Sequence, residues 1–139
     1  MDVAAHTDGL ELRLPATLGA VGRGRRAVVS YAMEAGFDET VVGRIGIAVG
    51  EALANVVVHA YRLDPEPDAG EMLVHVAEQG DGLQVIVGDH GCGPAPRDDS
   101  PGAGVGLLLI DSQSDGHEIR AGSQGGTTVR MEFVQRPLL

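Results

Sequence analysis

Leu10, Leu12 and Leu14 alternate with Glu11 and Arg13, the period of a half-buried strand, and Pro15 closes it. A helical pattern then runs from about Thr17 to Ala35, weakened in its first turns by Gly19, Gly22 and Gly24, with Gly36 placed to stop it. Asp38 suits the N-cap of a second helix, whose pattern persists to about Arg62. The stretch from Leu63 to Gly70, with two prolines and three acids, reads as a solvated loop. Met72 to Ala77 alternates again, Gly80-Asp81-Gly82 turns, and Leu83 to Val87 returns, which predicts a hairpin. Asp89 to Gly106 is loop-like. A short helix follows from about Val105 to Ser114, then strands at His117–Ala121 and Thr127–Val134. The order β-α-α-β-β-α-β-β, with no internal repeat, predicts one domain over residues 1–139. Its fold class is an α/β two-layer sandwich: a mixed, largely antiparallel sheet with helices on one face.

The second helix carries an unusual pattern. At 100° per residue, Arg44, Glu51, Asn55, His59 and Arg62 fall on one narrow band, and nearly everything else from Val41 to Tyr61 is apolar or small. Such a helix is predicted to be buried on most sides, with a polar line facing either a cleft or a narrow strip of solvent. Glu51 and Asn55 lie one turn apart. They suit either a hydrogen bond within the helix or a working pair, the carboxylate taking a proton and the amide oxygen ligating a hard cation such as Mg2+.

Composition narrows the chemistry. All ten basic residues are arginine, so there is no lysine for a Walker A loop, for the nucleotide-binding strand of a typical protein kinase, or for a Schiff base with pyridoxal phosphate. A net charge of -10 and the absence of Trp argue against nucleic acid and against an anionic membrane surface as partners. Cys92 is the single cysteine, which excludes an internal disulfide, and the histidines show no ligand spacing. The N-terminus lacks the basic start and apolar run of a signal peptide, and the polar residues within 41–61 make it a poor membrane span. The expected location is the cytoplasm.

Three glycine-rich segments follow the polar band. Asp89-His90-Gly91-Cys92-Gly93 sits where a strand ends, Gly102-Ala103-Gly104-Val105-Gly106-Leu107 opens a helix, and Gly125-Gly126-Thr127-Thr128 precedes the last strand. Pro96 and Leu107 stand where a third glycine of a Rossmann fingerprint would fall, so that motif is rejected. Backbone N–H groups at a helix start, reached closely over glycine, still make an anion site without lysine.

With these boxes in this order, the chain resembles the GHKL ATPase superfamily of the Bergerat ATP-binding fold, and within it the anti-sigma factor serine kinases. The resemblance covers nearly the whole chain: an N box from Glu51 to Tyr61, a G1 box from Asp89 to Gly93, a G2 box from Gly102 to Leu107, and Gly126-Thr127-Thr128-Val129. It implies that ATP and Mg2+ are cofactors, that Asn55 ligates Mg2+, and that Asp89 receives the adenine amino group beside Gly91 and Gly93. It further implies that Gly102, Gly104, Val105, Gly106 and Leu107 face the phosphates, and that Thr127 or Thr128 completes the adenine contact through water. Glu51 would be the general base toward a serine of a STAS-fold anti-sigma factor antagonist. A sigma factor would be a second partner, and homodimerisation is implied. The segment between G1 and G2 spans only Pro94 to Pro101, shorter than the usual ATP lid, and Arg97 is its one cation and the candidate for the γ-phosphate. That short lid also suits a different function, a non-catalytic ATP-binding module that switches partner proteins. A histidine-kinase catalytic domain is a weaker third reading.

Overall fold

The computed structural model describes residues 9–60, 70–91, 103–121 and 125–135, and in 103–106 the backbone alone. Strand β1 (Leu10–Pro15) leads into helices α1 (Leu18–Glu34) and α2 (Glu39–Asn55), the second extended by a wide π-type turn over Val56–Ala60. The hairpin β2 (Glu71–Gln79) and β3 (Gly82–Asp89) follows, then α3 (Ala103–Gln113), β4 (Gly116–Ala121) and β5 (Thr127–Val134).

Local chemistry sets these boundaries. Thr17 Oγ1 accepts from Ala20 N at 3.3 Å and Asp38 Oδ1 from Val41 N at 3.2 Å, so each long helix has a side-chain cap, at Asp38 the one its sequence predicts. Gly36, at φ 93°, ends the first helical segment in the left-handed region that a Cβ disfavours. Gly80, at φ 59° and followed by Asp81, gives the hairpin the backbone of a type II′ turn.

The strands form one sheet in the order β1-β2-β3-β5-β4, and every neighbouring pair is antiparallel. The two-layer sandwich stands as expected, and the mixed component of the sheet does not. Two helices separate β1 from β2 and return the chain beside β1 in the opposite sense. The core lies between the sheet and the helices: Met72, Val74, Val76, Leu83, Val85, Val87, Met131 and Phe133 from the strands meet Val28, Ile45, Val49, Leu53 and Ile110 from the helices. By length and mean hydropathy (1.7) Glu39–Ala60 would suit a membrane span, yet half of its apolar window is buried inside this domain, as for a core helix.

A surface contact joins the C-terminal end of the described residues to the turn between the two long helices. Gln135 donates from Nε2 to Gly36 O at 3.1 Å and accepts from Asp38 N at 2.8 Å, tying the end of β5 to the α1–α2 turn. Gln135→Ala is expected to lower stability by about 1 kcal/mol, because both bonds are solvent-exposed. Urea unfolding would show a lower midpoint at an unchanged m-value.

Candidate functional site

Strand β3 ends on Asp89, opposite Met72 on one side and Thr127 on the other, so its side chain enters the layer between sheet and helices. It is 9% exposed and the one charged residue classed as buried among the described residues. Burial raises the Asp89 carboxyl above the usual aspartate range, while the backbone N–H groups of Gly91 and Thr127 and the neighbouring His90 act in the other direction. The Gly91 N–H donates to Oδ1 at 2.8 Å. A carboxylate offers about four lone-pair directions, so two backbone donors leave acceptor capacity for an amino group.

Glycines close the walls around this group. A Cβ at Gly126 would overlap the Asp89 carbonyl, and one at Gly91 would overlap the Ala60 carbonyl at the end of the π turn. Gly125 and Gly126 both have positive φ, at 91° and 88°. The chain before β5 can approach the Asp89 backbone, and the end of α2 can approach Gly91, this closely only where no side chain intervenes. Gly126→Ala is therefore expected to cost about 1–3 kcal/mol, read as a lower midpoint of thermal unfolding, since the strained φ and the overlap act together.

The strand period separates the two threonines. Thr127 pairs with Asp89 and shares its face, whereas Thr128 pairs with Gly88 and lines a groove on the opposite, outward face with Leu73, His75 and Ile86. Of the pair left open by the sequence, Thr127 stands beside the buried carboxylate. The β3–β5 register, invisible in the sequence, places Thr128 on the other face.

Glu51 and Asn55 are half-buried near the end of α2. Glu51 lines an open groove between α1 and α2 with Val21, Arg25, Val29, Ile47 and Ala54, and among the described residues it has no ion pair or hydrogen bond. Ile47 and Val58 are 47% and 57% exposed, so α2 is less enclosed than its pattern suggests, with apolar positions flanking the carboxylate in solvent. The π turn then changes the angle per residue, so the 100° extrapolation that aligned His59 with Glu51 fails beyond Asn55. Arg44, seven residues before Glu51 on the regular part of α2, stays on the band. Its Nε donates to Gln113 O at 2.9 Å and its Nη2 to Asp115 Oδ2 at 3.0 Å, at the far end of α3.

Gly104, Val105 and Gly106 lie in the first turn of α3 and Leu107 in the next, partly buried against the core. A helix start at this place offers unpaired backbone N–H groups. Gly93, Gly102 and Arg97 fall outside the described residues, as do Tyr61, Arg62 and Cys92. Two contributors escaped the sequence reading: Ala60, whose carbonyl abuts Gly91, and the π turn that carries it. Three successive β-branched valines, Val56 to Val58, were the available signal, since they crowd a regular helix.

The donor set suits a cation carried in by a ligand. Asn55 supplies one hard oxygen, and the described residues hold no cluster of three His, Cys, Asp or Glu able to cage a metal. Mg2+ commonly keeps several waters and binds through one or two protein oxygens plus phosphates, which this arrangement fits.

Comparison with known proteins agrees with this fold. The histidine kinase-like ATPase domain family matches residues 14–133. The chain is similar to the serine-protein kinase RsbW of Bacillus licheniformis, 30% identical over 93% of this chain and 88% of that one. It is similar also to RsbW of Bacillus subtilis, 31% identical over 91% and 85%. Among solved structures, the RsbU and RsbW domains of a Mycobacterium tuberculosis protein superpose with a TM-score of 0.71 at 26% identity over 92% of this chain. This chain spans about a third of that longer one (33%).

Proposed function

The chain belongs to the histidine kinase-like ATPase family, in the branch of the RsbW-type anti-sigma serine kinases, and from that premise we propose that it is a protein serine kinase. In this reading it binds Mg-ATP and phosphorylates a serine of a STAS-fold anti-sigma factor antagonist, regulating transcription by partner switching with a sigma factor. The single observation that carries the reading is the buried Asp89 carboxylate, which accepts from the Gly91 N–H and shares its face with Thr127.

Each residue then has a chemical task. Asp89 accepts the adenine amino group, and Thr127 holds a water at the ring edge. The backbone of Gly102 to Gly106 donates to the phosphates, which removes the need for lysine. Asn55 would hold Mg2+, which when bound neutralises phosphate charge. Glu51 faces the α1–α2 groove, where a protein segment can reach it. The serine oxygen forms a bond to the γ-phosphorus, the bond from that phosphorus to the β–γ bridging oxygen breaks, ADP leaves, and the hydroxyl proton passes to Glu51.

The test is incubation with labelled ATP and purified STAS-domain proteins. Label on a serine of one partner, dependent on Mg2+, is the expected result. Bound ATP with no transfer to any partner would favour the second reading, a non-catalytic nucleotide-gated binding module, which the eight-residue segment 94–101 and its lone Arg97 support.

A further inference from the structure

Arg44 shares the polar band with Glu51 and Asn55, yet the proposed reaction gives it no task. It bridges two elements that the reaction must hold in register. From α2 it donates to the carbonyl of Gln113, the last residue of α3, and to Asp115 just beyond. Asp115 Oδ2 accepts also from Val134 N at 2.7 Å, and Asp115 N donates to Glu132 O at 2.8 Å, so the clamp reaches β5. Arg44 and Asp115 are partly sheltered, with side chains 29% and 19% exposed. No basic residue lies in the last turn of α3 itself, so Arg44 places a cation from a neighbouring helix at that negative helix end.

Helix α3 has particular need of such a clamp. Leu107, Leu108, Leu109 and Ile110 follow one another, so the helix has no sharp apolar face; Ile110 is fully buried while Leu108 is 68% exposed. Burial alone sets its rotation and axial position weakly, whereas two directional hydrogen bonds set both. The only other side-chain tether from α3 to a neighbouring element among its described residues is the pair of His117 Nδ1 with Asp111 Oδ1 at 3.6 Å, where Asp111 is 70% exposed. The first turn of α3 lies roughly 14 Å from Gln113 along a stiff rod. Fixing one end therefore aims the other.

We infer that Arg44 is a positioning residue: by clamping the C-terminal end of α3 to α2, it sets where the N–H groups at the start of α3 stand relative to Asn55 and the bound phosphates. This rests on the nucleotide reading above. Displacement of a fluorescent adenine nucleotide by Mg-ATP and by adenosine separates the two, because adenosine meets the Asp89 end alone. In Arg44→Gln, Mg-ATP is expected to bind about tenfold more weakly while adenosine affinity stays within about twofold. Arg44→Lys, which can keep one of the two bonds, is expected to fall between and serves also if the glutamine variant does not fold. A ratio of Mg-ATP to adenosine affinity equal to that of the wild type in the folded variant, with or without a lower Tm, would overturn the inference and leave the nucleotide site standing. A wild type that binds neither ligand would overturn both.

Discussion

Glu51→Ala is expected to slow phosphate transfer to the partner serine by about 10²–10⁴-fold while leaving Mg-ATP affinity nearly unchanged. The separation of effects follows from placement. Glu51 lines the groove between α1 and α2, whereas the carboxylate assigned to adenine is buried at the end of β3. Removing a base that acts only on the attacking hydroxyl lowers kcat and kcat/KM together, without touching the nucleotide's ground-state contacts. Glu51→Gln keeps the shape of the side chain and loses its basicity, so it should match the alanine variant in rate. Transfer that persists at the wild-type rate in both would remove Glu51 as the base. Loss of ATP binding alongside would show that Glu51 supports the nucleotide instead.

Much of this architecture is written in short-range signals. Leu10, Leu12 and Leu14 alternate and do form β1. Asp38 does cap its helix, and Gly36 does take the positive φ that stops the one before it. These features depend on a few neighbouring residues, so the sequence states them directly. What it could not state depends on partners far along the chain. Arg44 meets Asp115, 71 positions away, a partner that a helical wheel cannot show. Thr127 and Thr128 look equivalent until the β3–β5 register puts one beside Asp89 and the other on the outward face. The π turn at Val56–Ala60 breaks the constant angle on which the wheel relies, and the antiparallel pairing of β1 with β2 and of β3 with β5 emerges only from the sheet itself. The three glycine-rich boxes remained legible because glycine at turns and close approaches carries its own backbone requirement.

Asp89→Ala is expected to weaken adenine-nucleotide binding by about 10- to 100-fold, the scale of losing a hydrogen bond to a buried charged group. Folding should survive, since the removed carboxylate is one whose burial raises its pKa and disfavours its charged form. The same shift gives a pH signature with a definite sign. The folded state holds the Asp89 proton more tightly than the unfolded chain, so ionisation costs stability above the raised folded pKa. That cost fades as pH falls through the folded value toward the ordinary aspartate pKa of about 3.9. Asp89→Asn, which cannot ionise, should therefore gain stability relative to wild type above that window, and the gain should vanish below it. Over the same fall in pH, adenosine binding by the wild type should weaken as the acceptor is protonated. Calorimetric titration of Mg-ATP into wild type and Asp89→Ala, side by side at neutral pH, tests whether Asp89 holds the adenine of a bound nucleotide. Saturable one-site binding in the wild type and an affinity weaker by about 10- to 100-fold in the folded variant are expected. Equal affinity in the two proteins, or no heat of binding in the wild type, would contradict that assignment.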